Sequence, residues 1–204
     1  MSMRFAAGIE GGRLRLLADD NAVIDLSLNE GGRHRIIVED AVQARQVVAV
    51  LEECDGIGVL TAAGSLPGAM PVAESMALVL RYHQDSVDSA DDERQLESAL
   101  YLCGLPAARI AGLGREQPMK LDRVERWRIG LARWLLRPPE LLVIDRAFAG
   151  LTRREAETLI AAEASYHLRH PFRAALFVDL DSHELPELPD CRSLVHLAEL
   201  ACHS

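Results

Sequence analysis

The sequence predicts an α/β fold: a parallel core, an antiparallel N-terminal sheet and a helical segment at about 62–120. Three observations carry this. The first 28 residues contain short alternating runs broken by turn residues, the pattern of an antiparallel sheet. Leu121–Leu151 reads as amphipathic helix, tight turn, buried strand and loop. After the opening strands come helices, and then strand and helix alternate, as parallel sheets require.

Each element follows from its residues. Met3–Ile9 and Arg13–Ala18 flank Gly11-Gly12 as a hairpin, and Ala22–Leu28 alternates as a third strand. Asn29-Glu30-Gly31-Gly32 is a turn, and Arg35–Val38 a short apolar strand. The helix beginning at Ala41 follows Glu39-Asp40, so strand, loop and helix stand where a phosphate-binding loop would sit. Ile57–Thr61 is a strand, 62–69 a Gly/Pro loop, and Pro71–His83 a helix with Val72, Met76, Val79 and Leu80 on one side. Gln84–Ala90 is polar, and Asp85–Glu93 is a solvated acidic run leading into helix Asp92–Leu102, which stops at Gly104. A short segment to Gly114 leads to Leu121–Leu136, where Val124, Trp127, Leu131, Trp134 and Leu135 make one apolar face. Pro138-Pro139 stop that helix. Leu141–Ile144 is an uninterrupted apolar strand ending at Asp145. Thr152 caps helix Arg153–His170, Arg173–Asp179 is a buried strand, Ser182-His183-Glu184 opens a short helix, and Ser193–Leu197 is the last strand.

Composition narrows the function. The 204 residues are 49% hydrophobic, enough for a core and too many for disorder. A net charge of −9 disfavours nucleic acid as a partner. No apolar run reaches the roughly 18 residues that span a bilayer, and the start has no signal-peptide core, so the expectation is a soluble cytoplasmic protein. The four cysteines, Cys54, Cys103, Cys191 and Cys202, are scattered and read as reduced thiols; a zinc site from Cys191, Cys202 and His203 matches no finger spacing. Trp127 and Trp134 read as core or interface anchors.

The central stretch LDRVERWRIGLARWLLRPPELLVIDRAFAGLT resembles the ATP-binding subunit of ABC transporters. In that family a helix opens with LSGGQ and runs through a basic segment to ALARALL, followed by PxLLLLDEP, a loop and GLD. Arg128, Ala132, Arg133, Pro139, Leu141, Leu142, Asp145, Phe148, Gly150 and Leu151 fall in register. SLPGAMPVAESMALVLRYH resembles the segment after the family's glutamine loop, LESALYLCGLPAAR the helix before the signature, and LFVDLDSHELPELPDCRSLVHL the switch strand and helix, so the likeness covers most of residues 22–197. The helical segment is closest to lipid-transport ATPases of the mammalian-cell-entry type. The resemblance implies a single ABC-ATPase-like domain over 1–204, of P-loop NTPase descent, with the helical subdomain inserted at about 62–120.

The departures fall on the family's chemical positions. Its phosphate loop is GxxGxGK[ST]; in register stands EDAVQARQ, with no glycine, Arg45 at the lysine and Gln46 at the magnesium-holding hydroxyl. Two carboxylates at a helix N-terminus repel phosphate: like charges about 4 Å apart cost roughly 4 kcal/mol at an effective dielectric of 20. Thr61 stands near the sensing glutamine, and Asp122-Arg123-Val124 replaces the Ser-Gly-Gly of the signature. Arg146 replaces the glutamate that polarises water, and arginine cannot accept that proton. Thr152 replaces the aspartate after Gly-Leu, and Leu180 the switch histidine. Asp145 survives, and its simplest role is a strand-end carboxylate paired with Arg146, Arg45 or a backbone amide rather than a magnesium ligand.

Packing kept and chemistry lost imply a non-catalytic, pseudo-ATPase subunit, without bound ATP, magnesium or other metal. It is expected to sit on the cytoplasmic face of the membrane under a permease, beside a catalytic ATP-binding subunit, in transport of lipid. By resemblance, Ser65, Leu66, Met70 and Tyr82 are candidate permease contacts, and Gly150 and Thr152 candidate contacts with the other ATPase subunit. Two alternatives remain: half of an asymmetric ATPase that lends Asp122–Glu125 to the partner's nucleotide, and a stand-alone soluble regulator.

Overall fold

The computed structural model describes residues 3–81, 89–182 and 185–198. Strands β1 (Phe5–Glu10), β2 (Arg13–Ala18) and β3 (Asn21–Ser27) form an antiparallel sheet in the order β1-β2-β3. Its inward residues, among them Leu14, Leu16, Ile24 and Leu26, are buried, and the residues between them face solvent.

The second sheet has five parallel strands in the order β5-β6-β7-β4-β8: β4 (Gly32–Val38), β5 (Ile57–Thr61), β6 (Leu141–Asp145), β7 (Ala174–Leu180) and β8 (Cys191–His196). The inner strands β6, β7 and β4 bury both faces, and the edge strand β8 stays partly exposed. On β6, Leu141 and Val143 join a core with α1 (Ala41–Glu52) and the antiparallel sheet, while Leu142 and Ile144 join the core of the opposite face. That opposite face holds α5 (Arg123–Leu136) and α6 (Arg153–Arg169). Helices α2 (Val72–Arg81), α3 (Ser89–Leu102) and α4 (Ala107–Leu113) extend the same core. Trp127 lies fully inside it, and Trp134 and Pro139 both pack against Gly58.

The loop after β5 lies directly on α5. Gly64 has φ +88°, and a Cβ on Gly130 would fall 2.1 Å from the Gly64 carbonyl oxygen. Only glycine at both positions permits this approach. The Arg133 guanidinium fixes the loop by donating to the Ser65 carbonyl at 2.7 Å.

Some expectations change. β4 begins at Gly32, three residues before the apolar run, because Arg33, His34 and Arg35 are buried and partnered. Arg33 pairs with Glu163 at 2.7 Å, His34 Nδ1 meets Ser193 Oγ at 2.8 Å, and Arg35 pairs with Asp179 at 3.0 Å. α3 starts at Ser89, so Asp92 is inside the helix and buried. The segment before Gly114 is a helix, α4. After Ser182 no helix forms over 185–189. The expected polar run at 84–90 falls largely, and Tyr82, His183, Glu184, Cys202 and His203 fall wholly, outside the described residues.

Candidate functional site

The C-terminal edge of the parallel sheet gathers most of the positions singled out above. Val38 pairs with Leu180, Thr61 with Asp145, and Asp145 with Val178. Glu39-Asp40 with the first turns of α1, Thr61, Asp145, Arg146 and Leu180 therefore share one rim, the usual ligand edge of an open α/β sheet.

The turn into α1 is held by its own acids. Asp40 is extended at the N-cap, and its Oδ1 accepts from Val42 N at 2.7 Å and Gln43 N at 2.9 Å. Glu39 N donates to Gln43 Oε1 at 3.1 Å, and Gln43 Nε2 donates back to Glu39 Oε2 at 3.1 Å. The amides that would meet a phosphate already meet a carboxylate. Arg45 is exposed and Gln46 partly buried on the first turns of α1.

At the end of β6, Asp145 is buried and Arg146 clasps it by donating from Nε to Oδ1 at 2.7 Å and from Nη2 to Oδ2 at 2.8 Å. Arg146 has φ +46°, and its N–H donates to the Val178 carbonyl at 2.8 Å, so the backbone aims the guanidinium back at its neighbour. Beside it, burial pushes the Asp179 carboxyl up to about 6, opposed by Arg35 and aided by the Asp145 charge. Arg35 also donates to the Pro186 carbonyl at 2.8 Å and lies over the Phe148 ring. The sequence reading passed over Arg35; its signal was a cation inside an apolar strand. Leu180 is half-buried against the core on the α1 side.

Thr61 is engaged by Ser65, whose Oγ donates to Val59 O at 3.2 Å and accepts from Thr61 N at 3.0 Å. Ser65 and Leu66 turn inward, and Met70 is half-buried. Asp122 caps α5 by accepting from Glu125 N at 2.8 Å, and Arg123 donates to the carbonyls of Ala147 and Ala149. The N-terminus of α5 is thus tied to the loop after Arg146. Gly150 and Thr152 are exposed. Thr152 opens α6 with a reciprocal capping box to Glu155, whose carboxyl those bonds hold below the usual range. Thr152 borders a cavity of about 780 Å³ that Phe148, Leu151, Ile160 and Pro186 also line.

This donor set does not fit a nucleotide with its metal in the usual way. Asp40 fills the α1 cradle and Arg146 already neutralises Asp145. Among the described residues no three or more His, Cys, Asp or Glu side chains group as metal ligands. No described helix is long and apolar enough to cross a membrane.

No family model matches the chain. Over 129 residues it is 30% identical to a methionine import ATP-binding protein of Burkholderia mallei, and equally to that of Burkholderia pseudomallei. The match covers 63% of this chain and 30% of each relative, so the chain spans about a third of their length. Among solved structures it superposes on a dimeric ATP-binding cassette in a post-hydrolysis state with ADP and phosphate. That match has TM-score 0.59 and 12% identity, and covers 88% of this chain and 87% of the other. It superposes equally well, at 0.59 and 14% identity, on a chain of an inward-facing ABC transporter assigned to the metal-chelate type, covering 87% and 73%. The chain has the ABC-ATPase fold, a P-loop NTPase architecture of parallel sheet plus antiparallel sheet. One expectation is corrected. The sequence predicts no enzyme, but the relatives it matches are ATP-binding proteins and a solved neighbour holds ADP and phosphate, which overturns that expectation.

Proposed function

We propose that this chain, with its ABC nucleotide-binding-domain fold, serves as one half of an ABC transporter ATPase. It pairs with a second ATP-binding subunit and docks on a permease at the membrane's cytoplasmic face, and the nucleotide of the pair rests on the partner's phosphate loop. The observation that carries this is the Asp40 carboxylate lodged on the first amides of α1 while the packing around the rim is intact. The segment 62–83, with the loop after β5 and α2, is the permease side, and Gly150 and Thr152 the side toward the other subunit. On the resemblance of the helical segment the cargo is a lipid; the names of the curated relatives make methionine the comparison to run beside it.

Three measurements test the reading. Calorimetry on the isolated protein with ATP and magnesium is expected to show no micromolar binding; such binding, lost on changing Glu39–Gln46, overturns it. Co-purification from its source is expected to bring a permease and a second ATP-binding subunit, and recovery of the chain alone favours a stand-alone regulator. In the assembled complex, changing Asp122 and Arg123 reads the contribution of the α5 N-terminus. A changed ATPase rate makes Asp122–Glu125 part of the partner's site, and an unchanged rate confines the chain's role to assembly.

A further inference from the structure

A wedge of about 410 Å³ opens between the two sheets, at the end of β4 away from the rim. Among the described residues β3 ends the antiparallel sheet and β8 ends the parallel one, and both border the wedge. Five consecutive residues of β3, Val23–Ser27, line it. Side chains alternate along a strand, so such a run faces the wedge with its free edge. Ile24, Leu26 and Val195 supply apolar wall. The floor is polar. His34 and Ser193 pair across β4 and β8, on the face that Ile36 turns toward the antiparallel sheet. His34 is only 8% exposed, and its Nδ1 meets Ser193 Oγ at 2.8 Å. Its Nε2 is buried and makes no hydrogen bond of good geometry, the Gly31 carbonyl being the backbone acceptor beside the ring. Burial holds the imidazole below its usual pKa, so the ring is neutral at pH 7.

The charge at the mouth is uneven. Arg192 lies across Gly32, its Cδ and Nε 2.6 Å from where a Cβ on that residue would stand. Arg192 spends one N–H on the Glu30 carbonyl at 3.1 Å, and among the described residues no carboxylate pairs with it. Asp25 answers two arginines, Arg13 at 2.8 Å and Arg15 at 3.4 Å. Arg13, Arg15 and Arg192 against Asp25 and Glu30 leave one surplus positive charge, in a chain of net −9.

We propose that this wedge binds a small monoanionic carboxylate with an apolar body. Its volume and its mix of apolar wall with a few convergent polar groups are those of a small-ligand pocket. The Arg192 guanidinium offers the paired N–H donors that a carboxylate accepts in bidentate fashion. The apolar body covers Ile24, Leu26 and Val195, beside the neutral His34 ring. One surplus charge matches one carboxylate. A second negative charge, as on a phosphate monoester, would face Glu30 and Asp25.

The test titrates the full chain with phenylacetate, hexanoate, the neutral phenylacetamide and inorganic phosphate, and follows the His34 ring resonance by NMR. His34→Asn assigns that resonance. At least one of the two carboxylates is expected to shift it at millimolar concentration, and the amide and phosphate to leave it in place. Arg192 and Glu30 are exposed, so substitutions there leave the fold intact. Arg192→Gln is expected to weaken the bound carboxylate about tenfold, the loss of a hydrogen bond to a charged group. Glu30→Gln is expected to tighten it about threefold, as removal of an exposed like charge should. The proposal is overturned if neither carboxylate shifts His34, if the amide or phosphate binds as well as the carboxylates, or if Arg192→Gln binds unchanged. Weaker binding by Glu30→Gln also overturns it, since the ligand would then need a cation of its own.

Discussion

Replacing Asp40 by alanine tests the central feature of the site. Asp40 Oδ1 accepts two backbone N–H bonds, at 2.7 and 2.9 Å, from the first turn of α1. Loss of an N-cap acid costs about 0.5–2 kcal/mol, and the exposure of Asp40 places this case near 1 kcal/mol. For a chain of this size that lowers Tm by about 2–4 °C. Asp40→Gly should cost only a few tenths of a kcal/mol, because glycine at a cap leaves the amides open to water. The bared amides should then attract anions. In a thermal melt followed by near-UV circular dichroism, sulfate should raise the Tm of Asp40→Ala more than that of the parent chain, since the parent's cradle is already filled. Equal sulfate shifts in the two proteins, or an Asp40→Ala variant as stable as the parent, would refute the idea that this carboxylate occupies the phosphate position.

Other consequences concern the core. Glu163→Leu leaves the Arg33 charge buried and unpaired and should cost about 3–5 kcal/mol in denaturant unfolding, whereas Arg33→Met with Glu163→Leu should restore most of the loss. Two additive losses would contradict this. Gly130→Ala drives a methyl into the Gly64 carbonyl and should cost about 1–3 kcal/mol, with displacement of the loop over 62–66. Asp179 sets a pH dependence whose sign is fixed by its raised carboxyl. Its folded pKa is about 6 against about 3.9 in an unfolded chain, so between those values the folded state binds more protons. Its contribution to stability therefore falls as pH rises from about 4 to 6, and Asp179→Asn should flatten that part of the stability profile. An unchanged profile would assign the slope to other groups.

The apolar patterns made most of the elements legible. Ile57–Thr61 and Leu141–Asp145 are strands with the expected limits, and the Thr152 cap and the apolar face of α5 stand where the spacing put them. The side chains misread were charged ones with distant partners. Arg33 and His34 fall between the expected turn and strand and Arg35 opens that strand, but nothing local announces their partners Glu163, Ser193 and Asp179, which folding brings from more than 120 residues away. The tie from Arg123 to the carbonyls of Ala147 and Ala149 is equally invisible in one dimension.

At the rim the division is sharp. The sequence by itself determined which groups are present: acids at the start of α1, no glycine in Glu39–Gln46, and an arginine after Asp145. It also determined the short-range geometry, because an N-cap and a pair of adjacent residues need only local backbone. Only the tertiary structure decided that these groups meet on one edge. The registers Thr61 to Asp145 and Val38 to Leu180 join segments that the chain separates by more than eighty residues. It alone decided that the buried Arg35 neutralises Asp179, since pairing a buried charge requires a partner that folding supplies.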